Sequence, residues 1–284
     1  AKNAQDALIN GENFINRWKE KNSLITPIFG PHAIYSMNLE QLEQTRNLAN
    51  NLNTSVSIHL SESQFESEFS TQNYGMTSIE ALESINFFDG TTIAAHVVWP
   101  SDREIEILAK RNVGVVHNPT SNMKLSSGVA PISKMIKAGV VVGLGTDGAA
   151  SNNDLDMWEE MRLASLLQKV TSMDPEVLPA IEVLRMATSN GAKIIGMDNE
   201  IGMIAEGMKA DVIQIAYDDV HHIPSYDIAS HLVYVTDEQD VMNVIVDGKL
   251  IMHQREFLTL NTKKIKEEVT SISNTIKETM NPNQ

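Results

Sequence analysis

Five short apolar runs in this chain each end in a polar, chemistry-bearing side chain, and a segment of helical character follows each one. The runs cover residues 24–29, 55–60, 91–95, 113–116 and 140–144, and they deliver His32, His59, His96, His117 and Asp147 in turn. The last run, Val140-Val141-Val142-Gly143-Leu144, shows no alternation of apolar and polar residues. It therefore reads as a strand buried on both faces, as in a parallel sheet. Strands alternating with helices over units of about thirty residues imply crossover connections between parallel strands. A polar residue at the carboxyl end of every run favours a (β/α) barrel, whose chemistry sits at that end, over an open sheet.

The helices are expected over residues 5–21, 39–52 behind the cap Asn38, 78–85, 101–111 behind the cap Ser101, and 131–138. Beyond the last run the expectation is a helix over 154–168, and then one over 176–190 that ends near Gly191. The pattern then changes. Residues 204–215 read as turn and strand, and 241–252 as a β-hairpin turning at Asp247-Gly248. Residues 263–280 read as an amphipathic helix with Ile265, Val269, Ile272 and Ile276 on one face. The expected division is a barrel domain over 1–205, part of a small β domain over 206–260, and a terminal helix over 261–284.

Charge and composition exclude several partners. A net charge of −15 and a pI near 4.9 argue against nucleic acid and anionic membranes. No apolar run approaches the eighteen or so residues that a membrane span needs. The chain has no cysteine, which removes disulfides and thiolate chemistry and fits a cytoplasmic protein. Any metal site must therefore use His, Asp or Glu.

Taken singly, each polar residue has an ordinary structural reading. Asp147 is a suitable helix cap. His59 with Glu62 reads as a hydrogen-bonded core imidazole beside a solvated carboxylate, and His96 lies in an apolar setting where it needs a partner. His117 opens a polar loop that shapes a site rather than ligating. Together, five such groups at successive strand ends converge on one barrel mouth, and four imidazoles with a carboxylate suit a divalent metal. His221, His222, His231 and His253 lie beyond this pattern and read as structural or exposed.

The motifs Pro31-His32-Ala33-Ile34-Tyr35-Ser36, His59-Leu60-Ser61-Glu62, Ala95-His96, His117-Asn118-Pro119 with Ser121-Asn122, and Gly145-Thr146-Asp147-Gly148 with Ser151 resemble the amidohydrolase superfamily. Within it the chain resembles the 5-methylthioadenosine/S-adenosylhomocysteine deaminases. The resemblance implies a (β/α)8 TIM-type metal-dependent hydrolase barrel, of which strands 4–8 are present here, with part of a small β-sandwich domain. It implies hydrolytic deamination of adenosine thioethers or adenosine, with one divalent metal, most often Zn2+. His59 and Asp147 would be metal ligands, and Glu62, His96 and Asp147 the catalytic groups. His32, Glu62, Asp147 and Ser151 would contact a small purine nucleoside, and a homo-oligomer is the implied assembly. Another hydrolase on the same scaffold, a guanine deaminase or triazine chlorohydrolase, is the close alternative. A non-catalytic barrel binding protein is the alternative of another class.

One departure from the family pattern matters. The superfamily's first-strand His-x-His, which supplies two metal ligands, occurs nowhere in the 284 residues. The resemblance thus implies that the first three strands are missing from this sequence, and that the remaining ligands lie in that missing part.

Overall fold

A computed structural model describes residues 2–280 and divides the chain into two compact units. One runs through Met208 and takes in Val220–Glu238; the other combines Lys209–Asp219 with the chain from Gln239 onward.

The first unit is built on a parallel sheet of four strands in sequence order: β1 (Val56–Leu60), β2 (Thr92–His96), β3 (Gly114–His117) and β4 (Val142–Leu144). Leu60 pairs with His96, and His117 with Leu144, so the strands finish nearly level at their carboxyl ends. The expected first strand, over 24–29, does not form as a strand. Only Phe29 reaches the sheet, as a single parallel bridge to Val56. Pro27 has no N–H for a ladder, and Pro31 closes the segment two residues later.

Helices cover the sheet, and most start where their caps predict. Asn38, Thr77 and Ser101 each form a reciprocal capping box with Gln41, Glu80 and Glu104. Ile58, Leu60, Leu82, Leu108, Val115, Ile132 and Val142 are buried between the layers. Each large side chain of this kind contributes about 1.5–3 kcal/mol by leaving water.

Four other helical expectations need correction. Residues 64–74 form a helix, Gln64–Tyr74, that was not expected, although Ser63 caps it by accepting from the Glu66 N–H. The loop after His117 is a helix, Pro119–Lys124, because Pro119 at its first position is preset for helical geometry. The helix expected over 154–168 begins at Met157, where Asp156 accepts from two N–H groups, and runs to Ser172. The helix expected over 176–190 breaks at Thr188 into Ala180–Ala187 and Ser189–Ile194, so Gly191 lies inside the second piece rather than capping the first.

The second unit holds an antiparallel sheet of β5 (Val212–Ile215), β6 (Val241–Val246), β7 (Lys249–His253) and β8 (Glu256–Phe257). The β6–β7 turn is the expected one. Asp247 and Gly248 both take positive φ, 48° and 73°, as a type I′ turn requires. The terminal helix, Thr262–Met280, buries none of its residues. Among the described residues, no helix is long and apolar enough to cross a membrane.

Candidate active site

Four of the side chains singled out from the sequence meet at the carboxyl ends of the parallel strands. His96, almost fully buried, lies at the centre. Its Nε2 is 3.9 Å from Glu62 Oε2 and 4.0 Å from Asp147 Oδ2. The His59 ring stacks on it, with centroids 5.5 Å apart and planes inclined by 19°. In regular alternation His96 would share a face with its partner Leu60, away from His59. Left-handed backbone at His96 (φ 75°) and Val97 (φ 47°) breaks that alternation where the strand ends and re-aims the ring.

His59 is held by its neighbour in the preceding segment. Its Nδ1 lies 2.8 Å from the His32 carbonyl, and the His59 N–H donates to the same oxygen at 3.1 Å. A carbonyl accepts only, so Nδ1 carries the proton and Nε2 is left bare, the state in which imidazole binds a divalent ion. The His32 ring is exposed, 5.0 Å from that of His59, and its Nδ1 contacts the Ser36 hydroxyl at 3.1 Å.

Asp147 does not cap the helix after it. It lies at φ 61°, its Oδ1 accepts the Gly148 N–H at 2.7 Å, and its Oδ2 accepts the Ser121 hydroxyl at 2.7 Å. Burial pushes this carboxyl up, but those two donors lead the opposing effects that hold it below its ordinary value. The carboxylate keeps lone pairs for a cation beyond these two bonds. Bare His59 Nε2 and ionised Asp147 therefore form a nitrogen and oxygen donor set suited to Zn2+, two donors where a catalytic zinc takes three from protein.

Glu62 is half-buried, with Oε1 accepting from the Ser127 hydroxyl at 3.2 Å. Its backbone is set by a residue that the sequence reading missed. Fully buried Glu66 accepts the Ser61 N–H at 2.8 Å and the Glu62 N–H at 3.0 Å, holding Ser61 at φ 50°. Burial pushes the Glu66 carboxyl up, and the two N–H donors offset part of that. Ser63-x-x-Glu66 has the form of a capping box, a signal for this helix though not for the bonds its carboxylate makes to Ser61 and Glu62.

Two further groups organise the rim. Asn122 Oδ1 lies 2.8 Å from His96 Nδ1. Buried Glu160 accepts the Thr120 N–H at 3.1 Å and Asn152 Nδ2 at 2.7 Å, tying the segment after β3 to the one after β4. Ser151 lies one helical turn past Asp147 in Ala149–Asn152, and among the described residues no side-chain hydrogen bond joins it to the other groups. His117 is sealed in the interior, and burial, with the nearby His96, lowers its pKa to about 3. Of the later histidines, His222 and His231 are buried against each other, Nδ1 to Nε2 at 2.8 Å, while His221 and His253 are exposed.

The model of the amidohydrolase family matches residues 1–251. The 5-methylthioadenosine/S-adenosylhomocysteine deaminase of Carboxydothermus hydrogenoformans is 46% identical over 267 residues, covering 94% of this chain and 61% of that protein. The 5'-deoxyadenosine deaminase of Methanosarcina barkeri is 45% identical over 259 residues, covering 91% of this chain and 60% of that one. The chain thus spans about three-fifths of the length of these relatives. The crystal structure of an adenosine deaminase from Xanthomonas campestris with bound zinc superposes with a TM-score of 0.93 at 33% identity, covering 96% of this chain and 62% of that one. The parallel β/α units accordingly have the fold of the TIM-barrel hydrolases, and the chain belongs to the amidohydrolase family.

Proposed function

We propose that the protein hydrolytically deaminates the adenine ring of a small purine nucleoside, an adenosine thioether such as 5'-methylthioadenosine or S-adenosylhomocysteine, or adenosine itself, releasing ammonia. The observation that carries this reading is the placement of two carboxylates, Glu62 and Asp147, each about 4 Å from the same His96 nitrogen, with His59 stacked alongside. Replacing a ring amine by water needs a base for the water and an acid for the ring, and these groups supply both. The names of the relatives support the substrate class.

His59 Nε2 and the Asp147 carboxylate would hold the divalent metal, most readily Zn2+, with the rest of the donor set supplied from outside these residues. The ion supplies Lewis acidity that makes water nucleophilic near neutral pH. Asp147, kept ionised by Ser121 and the Gly148 N–H, accepts the proton of the attacking water and passes it to the departing amine. Glu62 delivers a proton to the ring nitrogen beside the reacting carbon and recovers one from the added hydroxyl as that oxygen becomes the carbonyl, and Ser127 orients it. His96 orients the water between the two carboxylates, and His32, exposed at the rim, contacts the nucleoside. Ser151 lies one turn beyond Asp147, within reach of a substrate that extends past the site. No covalent intermediate is needed, in keeping with the lack of cysteine. A homo-oligomer in the cytoplasm completes the proposal.

The test is Glu62→Gln in a form of the protein that carries the full ligand set. We expect kcat for ammonia release to fall about 10²–10⁴-fold, the scale of general acid catalysis, with metal content unchanged. Near wild-type turnover would remove Glu62 from the chemistry.

A further inference from the structure

A neutral imidazole has one N–H to place, and at His96 two buried amides compete to decide where. Asn122 Oδ1 lies 2.8 Å from Nδ1, and Asn118 Nδ2 lies 3.4 Å from the same atom. The contacts demand opposite tautomers. An amide oxygen needs a proton on Nδ1, whereas an amide nitrogen needs Nδ1 bare. Neither Asn118 nor Asn122 is exposed by more than 3%, so bulk water does not make the choice. The shorter contact has the length of a full hydrogen bond, and the longer lies at the margin of one.

We infer that Asn122 is a positioning residue that holds His96 in the Nδ1–H tautomer, so that bare Nε2 faces Glu62 and Asp147. This rests on the deaminase reading above and makes it more specific. With Nε2 bare, His96 accepts a hydrogen bond from the attacking water instead of donating one. The water's second O–H is then left for Asp147, and an oxygen lone pair is turned toward the ring carbon. The opposite tautomer would point an N–H toward the two carboxylates, which at 3.9 and 4.0 Å lie too far to accept it directly, and would offer the water a donor in place of an acceptor. The left-handed backbone at His96 fits this role, because such a conformation persists only where its surroundings over-determine it. Asn122 does so from a helix that begins three residues earlier, at Pro119, just past β3's carboxyl end.

The tautomer can be read without any activity. In the 15N-labelled 284-residue chain, above the pH at which imidazole titrates, long-range 1H–15N correlations identify the protonated ring nitrogen of each histidine. The His96 signals are those lost in His96→Gln. We expect protonated Nδ1 in the wild type and in Asn122→Asp, whose carboxylate still accepts. In Asn122→Leu, of similar size but without an acceptor, the population should move toward Nε2–H by about fivefold or more, the weight of one ordinary hydrogen bond. Protonated Nε2 in the wild type, or an unchanged Nδ1–H population in Asn122→Leu, overturns the inference. If Asn122→Leu does not fold, the wild-type and Asn122→Asp spectra still decide, since Nε2–H in either overturns it. The deaminase reading stands or falls separately, on ammonia release.

Discussion

Two glycines three residues apart, Gly145 and Gly148, frame Asp147, and the structure assigns them opposite sensitivities. A Cβ on Gly145 would stand 2.6 Å from Asn118 Oδ1 and 2.8 Å from Val116 Cγ1, whereas a Cβ on Gly148 would meet nothing within 4 Å. Neither has the positive φ that would strain a side chain by itself. In Gly145→Ala, then, the cost is steric. Forcing one methyl against a β-branched neighbour and a buried amide costs about 1–3 kcal/mol, the usual range for overpacking. Against this, the unfolded chain loses freedom when glycine becomes alanine, which returns about 0.4–1 kcal/mol. From the central values, about 2 kcal/mol of cost and about 0.7 returned, the net expectation is a loss of about 1.3 kcal/mol, or about 3–5 °C in Tm at 2–4 °C per kcal/mol for a unit of this size. Gly148→Ala keeps the N–H that Asp147 accepts. It gives up a modest cap preference at the start of Ala149–Asn152 and gains the same unfolded-state term, so it should fall within about 0.5 kcal/mol of wild type. Urea unfolding followed by the fluorescence of Trp99 and Trp158, both in the first unit, measures the two variants side by side. Equal stability for both alanine variants would refute the close approach of Asn118 to this turn.

Leu108→Ala, at a site with no exposure, should cost about 2–5 kcal/mol by the same unfolding measurement, through lost burial and a residual cavity. His117 has its pKa lowered to about 3 from an ordinary 6.5, so the unfolded chain binds its proton first. The stability this contributes is complete above pH 6.5 and is lost as pH falls toward 3. Wild type minus His117→Gln should therefore show a slope approaching one proton in that window, in unfolding free energy against pH. Ser121→Ala removes the hydroxyl that helps keep Asp147 ionised, and should lower the rate of ammonia release tenfold or more in a form with the full ligand set, on the general scale of a lost charge-assisted hydrogen bond of about 1.5–3 kcal/mol. At this mouth the chain offers two of the three protein donors that a catalytic zinc takes, so His59→Ala should leave the stoichiometry of tightly bound zinc in the 284-residue chain unchanged in a zinc titration.

What was legible in the sequence was whatever repeats or sits next to its own cause. The strands after residues 91, 113 and 140 announce themselves by short apolar runs and the one after 55 by the alternation of Val56-Ser57-Ile58-His59-Leu60, while Asn38 and Ser101 mark helix starts within a residue. The residues at the ends of those runs were legible as a group for the same reason. Phe29 shows the limit: an apolar run flanked by two prolines keeps the strand's place but not its ladder. Glu66, Asn122 and Glu160 were not legible as parts of the site. A buried carboxylate that bonds two N–H groups one turn back resembles, in sequence, any glutamate on a polar helix face. Glu160 lies 40 residues from Thr120 and 8 from Asn152 and joins their two segments, a relation that no local pattern encodes.

The two ends of the parallel sheet solve opposite problems, and the difference locates function more firmly than exposure does. At the amino end Arg46 is buried with no carboxylate bonded to it. It donates instead to the carbonyl of Phe87 at 2.7 Å and the hydroxyl of Thr92 at 2.8 Å, and burial lowers its pKa to about 10. Every donor there is directed at a fixed partner of the chain, and the result is rigid support for the start of β2. At the carboxyl end Ser61, His96, Val97 and Asp147 all take left-handed backbone conformations, which cost of order 1–3 kcal/mol each for residues other than glycine. Each of the three polar ones is held by a partner that it does not share: Glu66 for Ser61, Asn122 for His96, Ser121 for Asp147. Those partners occupy the atoms facing away from the mouth: Nδ1 of His96, one lone pair of each Asp147 oxygen and, through the His32 carbonyl, Nδ1 of His59. In the deaminase reading proposed above, the atoms left over, His59 Nε2, His96 Nε2 and the remaining Asp147 lone pairs, would serve the metal and the water, and the Glu62 carboxyl the ring nitrogen. Strain at four residues, with each of the three polar ones held by a partner of its own, marks the carboxyl end of the sheet as the place to test for function.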